Sequence, residues 1–307
     1  MKRLLKVLCA INLILMMGLS IATTAHADEP LKVVSSFSLL TDMLESIGQD
    51  HIEVYNLVPV GTDPHEYEPL PEDIMKATDA DLMFYNGLNL EGSENGWFMK
   101  LANSVKKSPE QLIEVAKDVE PQYLKDEEGR QEINPHAFAD PNVGIKMAQR
   151  IVEVLKEHDP NNAVVYQENA EAYIKELEAI RDEYEEKLGS LEGNQRNFIA
   201  SEHAFQYMTQ SFNLNHGYIW AIDTDENGSP AQIQSAIQWV KDNNPPVLFV
   251  ESNVDRRPMQ TVSKETGVEI YEEPVYSDEI GEKGSPADTY LKYLQTNLDV
   301  IYNGLNQ

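Results

Sequence analysis

Two short triplets in this chain, Asp63-Pro64-His65 and Asn134-Pro135-His136, place a histidine directly after a proline. Proline fixes its own backbone φ near about −65° and lacks an N–H, so each histidine is presented from a stiffened turn. Neutral imidazole is the commonest metal ligand among side chains. The repetition suggests that two imidazoles face one metal ion. From the triplets alone, two unrelated loop histidines remain the alternative.

The first residues, 1–27, have the pattern of a secretory signal peptide: a basic start, an apolar run and a small-residue cleavage site at Ala25-His26-Ala27. The apolar run is shorter than the roughly 20 residues that a membrane span needs. Cys9 lies before most of this run and does not match a lipobox cysteine. We therefore expect an exported protein, periplasmic or otherwise extracytoplasmic at the cell surface, with no clear lipobox.

Composition excludes several classes of function. Cys9 is the only cysteine, so a mature chain starting at Asp28 has no disulfides, thiolate zinc sites or cysteine nucleophiles. The formal net charge of −28 becomes −31 once a leader with three basic and no acidic residues is removed. Such a charge argues against nucleic acid or an anionic membrane as partner. It suits a soluble, exported protein that concentrates cations around itself.

Strand-like and helix-like segments alternate on both sides of one long amphipathic helix, predicted over 163–189. Alternation of this kind predicts an α/β fold, with two lobes whose parallel-rich sheets are flanked by helices and joined by the long spine helix. The mature length of about 280 residues also favours two domains, an N-terminal lobe at 28–162 and a C-terminal lobe at 190–307. The apolar residues of the long helix recur in steps of mostly four and three: Tyr166, Ala170, Tyr173, Leu177, Ile180, Tyr184 and Leu188.

Short apolar runs predict the strands, and ligands of parallel sheets bind beyond the carboxyl ends of strands. The acidic stretch 119–132 lacks periodicity and is predicted to be a surface loop. Asp140 before Pro141 predicts a helix start, because aspartate caps helices and proline suits the first helical position. The predicted strands are 31–34, 53–59 and 81–85 in the first half, and 197–200, 217–222, 247–250 and 268–271 in the second.

Potential ligands lie beside several of these elements. His65 follows the second predicted strand, and His136 precedes the helix that starts at Asp140. In the second half, one strand runs into Ser201-Glu202-His203 and another runs on to Tyr276-Ser277-Asp278. Histidines and carboxylates are numerous enough for such coincidences. These positions are stronger candidates because they recur beside the carboxyl ends of strands, where parallel sheets bind ligands.

Three stretches resemble the metal-specific substrate-binding proteins of bacterial ABC importers: 63–69, which reads DPHEYEP, 134–138, which reads NPHAF, and 201–205, which reads SEHAF. The segments 218–220, 249–252 and 275–278 extend the similarity to nearly the whole mature chain. The resemblance implies two α/β lobes joined by a single long helix, with the metal between the lobes and two ligands from each. Carried over residue by residue, the metal ligands are His65, His136, Glu202 and Asp278.

The third ligand position distinguishes members of that family, because zinc-binding relatives commonly have histidine there and manganese-binding relatives glutamate. This chain has Glu202, followed by His203 where relatives often carry glycine or aspartate; the family pattern favours Glu202. Two imidazoles with two carboxylates form a harder ligand set than three histidines, which shifts preference toward Mn²⁺ or Fe²⁺. The segment 119–132 also lacks the histidines often seen in zinc-specific relatives. We predict Mn²⁺, with Zn²⁺ and Fe²⁺ as alternatives.

The leading hypothesis is a non-enzymatic, monomeric receptor that captures the metal between its lobes and delivers it to an ABC permease in the membrane. A secreted metallohydrolase is the alternative from another class. Catalytic metal sites need an open coordination position and a nearby base, and four protein ligands leave little room for either. Cell adhesion is sometimes attached to relatives, and these residues argue neither for it nor against it.

Other candidates carry simpler interpretations. The segment 223–228 begins like a calcium loop, but its twelfth position is Gln234, so a turn is preferred. Glu251 is predicted to pair with Arg256-Arg257. Two tryptophans, Trp97 and Trp220, are interpreted as packing residues. Three further histidines are predicted to be surface residues: His51, His158 and His216.

Overall fold

The computed structural model describes residues 29–125, 131–222 and 228–307. The predicted signal peptide and positions 223–227 of the calcium-like segment therefore lie outside the described residues. Within the described ranges, none of the helices combines the length and apolar character needed to cross a bilayer.

A four-stranded parallel sheet forms the centre of the N-terminal half. Its strands, in spatial order, are β2 (Ile52–Asn56), β1 (Leu31–Ser35), β3 (Leu82–Tyr85) and β4 (Leu112–Glu114). Residues 33–35 and 82–84 of its two central strands are buried, as expected for a parallel sheet covered on both faces. Val33 of β1 pairs with Val54 on one side and Leu82 on the other, which sets the register. The strands are connected by helices α1 (Ser38–Gly48), α2 (Pro71–Asp79) and α3 (Trp97–Ser104).

The acidic stretch predicted as a loop is partly a β-hairpin, so that prediction is wrong in part. Strands β5 (Tyr123–Lys125) and β6 (Gln131–Ile133) pair antiparallel, with Tyr123 opposite Ile133. Each strand has only three residues, too few for an alternating pattern to be visible in the sequence. The Leu124 side chain of this hairpin is buried.

The long helix is present with its predicted bounds, as α5 (Ala163–Gly189), and it buries the seven residues of the predicted stripe. It packs along α4 (Pro141–His158) and along the last helix of the chain, Tyr290–Leu305. The hydroxyl of Tyr184 donates to the carbonyl of Leu294 at 2.8 Å, which joins the long helix to the last one. Asp140 caps α4 as predicted, because its side chain accepts the backbone N–H of Asn142.

The C-terminal half also has a parallel arrangement, but with few regular ladders. Strands β7 (Asn197–Ile199) and β8 (Asn215–Gly217) pair in parallel. The strands predicted at 217–222, 247–250 and 268–271 are reduced to single bridges, such as Leu248 with Ile270. The helices are α6 (Gln206–Ser211), α7 (Pro230–Asn243), α8 (Arg257–Thr266) and α9, the last helix.

The predicted α/β fold with a long connecting helix is confirmed, and its core explains how the halves are joined. One large cluster of buried side chains includes Val33, Leu177 and Phe249 and so extends through both halves. A smaller cluster around Trp220 and Leu248 belongs to the C-terminal half. The lobe boundaries stay a prediction.

Candidate metal centre

The loop after β2 holds His65 by fixing the residues before it. The backbone N–H of His65 donates to Oδ1 of Asp63 at 2.7 Å. The indole N–H of Trp97 donates to the carbonyl of Pro64 at 2.8 Å. Both bonds act within two residues of His65 and hold the backbone that carries its ring.

Asp73, at the start of α2, fixes the other end of this loop. Its carboxylate accepts the hydroxyl of Tyr67 at 2.8 Å, the hydroxyl of Tyr55 at 2.9 Å and the backbone N–H of Leu70 at 2.6 Å. The Tyr67 ring also meets the Trp97 ring edge-on, with centroids 5.3 Å apart. Hydrogen bonds therefore hold the loop of His65 both before and after the histidine.

His136 begins a short 3-10 turn directly before α4 and is fully buried. The side-chain oxygen of Asn134 lies 3.0 Å from its backbone nitrogen and 2.7 Å from its ring Nδ1. Burial lowers the pKa of His136, while the nearby carboxylate of Asp278 acts in the opposite direction. This arrangement leaves Nε2 as the ring atom that faces the other candidate ligands.

Glu202 follows β7, where its backbone forms a single bridge with Trp220, and its side chain is fully buried. Glu251 accepts the backbone N–H groups of Ser201 and Glu202 at 3.1 and 2.8 Å. For these two N–H groups, a side chain thus takes the place of a strand ladder. Burial raises the pKa of Glu251 to about 7. The predicted pairing of Glu251 with arginine is wrong, since Arg257 pairs with Asp255 instead.

Asp278 is almost fully buried and is held through its second oxygen. Its Oδ2 accepts the hydroxyl of Ser277 at 2.8 Å and the side-chain amide of Asn253 at 3.2 Å. Burial would raise the pKa of Asp278, but the contacts with His136 and His65 hold it well below its ordinary value. Its Oδ1 is the oxygen that faces the two imidazoles.

Three of the four predicted ligands, His65, His136 and Glu202, form one group whose ligand atoms lie within 4.8 Å of one another. The fourth, Asp278, contacts the two histidines of that group. Nε2 of His65 lies 3.2 Å from Nε2 of His136 and 3.7 Å from Oδ1 of Asp278. Nε2 of His136 lies 2.9 Å from Oδ1 of Asp278 and 3.5 Å from Oε1 of Glu202. Ligand atoms about 2.1 Å from a four-coordinate metal lie roughly 3.4 Å from one another. The spacing therefore suits a small metal ion, and two carboxylates would balance its double charge in this buried position.

His203, the alternative third ligand, is packed into an aromatic cluster. Its ring is stacked on that of Tyr218 with centroids 4.1 Å apart, and it meets the ring of His216 at 4.5 Å. Burial, with a smaller effect of His136, lowers the pKa of His203 to about 3. In the part of the chain that the structure describes, the one cluster of three or more close metal-ligating groups is His65, His136 and Glu202.

The remaining histidines show where the polarity of the surrounding sequence misled the prediction. His216 is not a surface residue: its ring nitrogens are buried, its ring packs on Phe198 at 5.2 Å, and burial holds its pKa well below the ordinary value. Pairing of β8 with β7 causes this burial, which polar neighbours in sequence do not reveal. His158 is exposed, as predicted, and His51 is half-buried against Tyr166.

Sequence reasoning missed three residues that support the ligands: Asn134, Glu251 and Trp97. Trp97 was predicted to pack, and it does, but it also donates to the loop of His65. For Asn134 the sequence does contain a signal, because the second triplet has Asn where the first has Asp.

The comparison with protein families decides where this chain belongs. The sequence signature of the family described as "ZnuA: Zinc-uptake complex component A periplasmic" matches residues 33–304. The chain belongs to this family. It is a metal-binding substrate-binding protein of an ABC transporter and not an enzyme, as the predicted resemblance implied.

Named relatives of this family member differ in the metal they are named for. The iron ABC transporter substrate-binding lipoprotein MtsA of Streptococcus pyogenes serotype M1 is 40% identical over 283 residues, 92% of this chain and 91% of that protein. The manganese ABC transporter substrate-binding lipoprotein scaA of Streptococcus gordonii is 40% identical over 285 residues, 92% of each chain. Both names include the word lipoprotein.

A solved structure agrees with the fold. The Mn-bound periplasmic metal binding protein from candidatus Liberibacter asiaticus superposes with a TM-score of 0.78 at 29% sequence identity, covering 89% of this chain and 98% of that chain. Manganese, iron and, in the family description, zinc are thus all represented among the matches.

Proposed function

We propose that this family member captures Mn²⁺ between its two halves, with His65, His136, Glu202 and Asp278 as ligands, and delivers it to an ABC permease. The observation that carries the proposal is the close grouping of two imidazole nitrogens with an oxygen of Glu202, while an oxygen of Asp278 contacts both imidazoles. These atoms come from four separate segments, two in each half of the chain. The lobe boundaries 28–162 and 190–307 follow from the same proposal.

The donor set supports manganese over zinc. Two nitrogen and two oxygen donors form a harder set than a site with three histidines, and carboxylates can add a second oxygen to suit a larger ion. His203, the residue that would supply a third imidazole, is stacked on Tyr218. The relative scaA is named for manganese. Zn²⁺ still binds tightly in vitro, because intrinsic affinity rises from Mn²⁺ toward Cu²⁺ in the Irving–Williams series.

Electrostatics supports capture of a divalent cation. Glu202 and Asp278 bring two buried carboxylates to the site, and an ion with two positive charges offsets both. The strongly negative surface raises the local concentration of cations around the protein. The metal is the cargo, so the protein must hold it firmly yet release it at the permease.

We infer an exported, extracytoplasmic protein that works as a monomer and binds no nucleic acid. The leader pattern at 1–27 supports export, and the net charge argues against nucleic acid as a partner. Relatives named as lipoproteins indicate work at the outer face of the membrane.

The test is metal binding by protein stripped of its metal. Titration calorimetry should give one Mn²⁺ per chain, and competition with Fe²⁺ and Zn²⁺ ranks the three ions. Metal analysis of protein purified from its own cells, grown in medium containing all three, identifies the cargo. Iron or zinc in those preparations would replace manganese in the proposal, and failure to bind any of the three would overturn it.

A further inference from the structure

The two Asx-Pro-His triplets fold in the same way but differ in their first residue. Oδ1 of Asp63 accepts the backbone N–H of His65, and Oδ1 of Asn134 accepts the backbone N–H of His136. An aspartate suffices for this turn, as the first triplet shows. The second triplet has asparagine, which adds two N–H donors that a carboxylate lacks.

The orientation of the Asn134 amide is fixed by two backbone groups. A backbone N–H can only donate, so the atom 3.0 Å from the His136 nitrogen must be the amide oxygen. A backbone carbonyl can only accept, so the atom 3.0 Å from the His203 oxygen must be the amide nitrogen. With both ends determined, the usual ambiguity of an amide flip does not arise.

This orientation dictates the protonation of His136. Its ring Nδ1 lies 2.7 Å from the amide oxygen, which only accepts, so Nδ1 must carry the proton. In the neutral ring Nε2 then presents its lone pair toward His65, Glu202 and Asp278. A hydrogen bond at the second nitrogen is the general way in which a metal-binding imidazole is held in its tautomer.

The other end of the same amide reaches the second half of the site. Nδ2 of Asn134 donates to the carbonyl of His203 at 3.0 Å and to Oε1 of Gln206 at 2.9 Å. His203 directly follows Glu202. The backbone carbonyl of Asn134 also accepts the hydroxyl of Tyr207 at 2.8 Å. Asn134 is fully buried, so these bonds are protected from competition with water.

We propose that Asn134 is a positioning residue for metal capture, which holds His136 in its metal-accepting tautomer and fastens that histidine to the segment carrying Glu202. Its amide thereby couples one ligand from each half of the chain. Aspartate could accept from His136 but not donate to His203, and serine has a single donor. The inference rests on the proposed function, because it assumes that His136 and Glu202 bind the same ion.

The variants separate the two ends of the amide. Asn134→Asp keeps the acceptor for His136 and removes both donors. Asn134→Ala removes both ends, and Gln206→Ala removes one acceptor of the amide without touching His136. The matched control is Asn194→Asp, since Asn194 is exposed and also donates to a backbone carbonyl, that of Asn244.

Binding of Mn²⁺ and Zn²⁺ is measured by competition with a fluorescent chelator, after circular dichroism has established folding. Asn134→Asp and Asn134→Ala should weaken both ions about 10- to 100-fold, the usual range for residues that orient a metal ligand. Gln206→Ala should weaken them less, and Asn194→Asp should bind as wild type does. Wild-type affinity in Asn134→Asp would overturn the coupling.

Nitrogen-15 NMR of histidine-labelled full-length protein provides a readout that a purely structural role would not move. In the wild type, with and without Zn²⁺, Nδ1 of His136 should be protonated. Asn134→Asp should retain that proton, while Asn134→Ala should release the ring to a mixture of tautomers. An unprotonated Nδ1 in the wild type would overturn the proposal even if no Asn134 variant folds. Failure of the wild type to bind either ion would instead refute the metal-capture function.

Discussion

The Nε2 atoms of His65 and His136 lie 3.2 Å apart although 71 residues separate the two histidines in the chain. Their rings meet at a steep angle of 63° with centroids 5.2 Å apart. Two ring nitrogens at this distance need a proton or a cation between them, because their lone pairs otherwise repel. The separate loops of the two histidines therefore hold a geometry that either a shared proton or a cation stabilises.

Metal should consequently raise the thermal stability of the stripped protein. A ligand that binds only the folded state stabilises it by about 4 kcal/mol at 1,000 times its Kd. We expect Mn²⁺ to raise the Tm by several degrees in differential scanning fluorimetry, and a chelator to reverse the shift. An equal shift with Glu202→Ala would show that the ion acts elsewhere.

Glu202→Ala should weaken Mn²⁺ binding far more than His203→Ala does. Glu202 places an oxygen 3.5 Å from Nε2 of His136, whereas the His203 ring is stacked on Tyr218. We expect a loss of more than about 100-fold for Glu202→Ala, beyond the usual effect of residues that only support a ligand. Titration calorimetry measures both variants. The reverse ranking would make His203 the third ligand.

Glu251→Ala should reduce both stability and metal affinity. It leaves the backbone N–H groups of Ser201 and Glu202 without their acceptor, at a cost of about 1–3 kcal/mol for each buried donor. Urea unfolding and Mn²⁺ titration measure the two effects. Glu265→Ala, at an exposed position on α8, is the control. If both variants bind Mn²⁺ equally, Glu251 does not position Glu202.

Glu91 should make stability depend on pH. This buried carboxyl accepts the Ser36 hydroxyl and the Asn86 N–H, both at 2.7 Å. Burial raises its pKa from 4.5 to about 7, although these hydrogen bonds oppose the shift. Because the folded-state pKa is raised, its stabilising contribution is complete below pH 4.5 and is lost as pH rises through about 7.

The variant Glu91→Gln, which cannot ionise, isolates this effect. The free energy of unfolding of the wild type, relative to the variant, should fall by about 3 kcal/mol between pH 4.5 and 7. Urea unfolding of stripped protein across this range provides the measurement. Parallel pH profiles for the two proteins would contradict the assignment.

Local patterns in the sequence predicted much of this molecule. The stripe from Tyr166 to Leu188 identified the long helix because helical periodicity over about six turns needs no knowledge of its partners. The Asp140 cap was visible for the same reason. The four ligand candidates were reached through motifs that stand next to strand ends. The structure groups His65, His136 and Glu202 and places Asp278 against the two histidines.

What the sequence did not reveal depends on contacts between distant segments. The Glu251 side chain accepts the backbone N–H groups of Ser201 and Glu202 in place of a strand ladder. The sequence around residue 251 does not indicate these partners. His216 has polar neighbours in sequence but is covered by Phe198. Asn134 was visible only as part of a triplet, because its second set of partners lies about 70 positions away.

The hydrogen bond from Trp97 to Pro64 makes the fluorescence of Trp97 a reporter of the His65 loop. Of the three tryptophans in the chain, Trp97 is the one whose indole N–H donates to the residue before a candidate ligand. Trp220 and Trp239 belong to the C-terminal core. A chain with phenylalanine at 220 and 239 would emit from Trp97 alone, and its fluorescence would follow movement of the His65 loop as metal arrives and leaves.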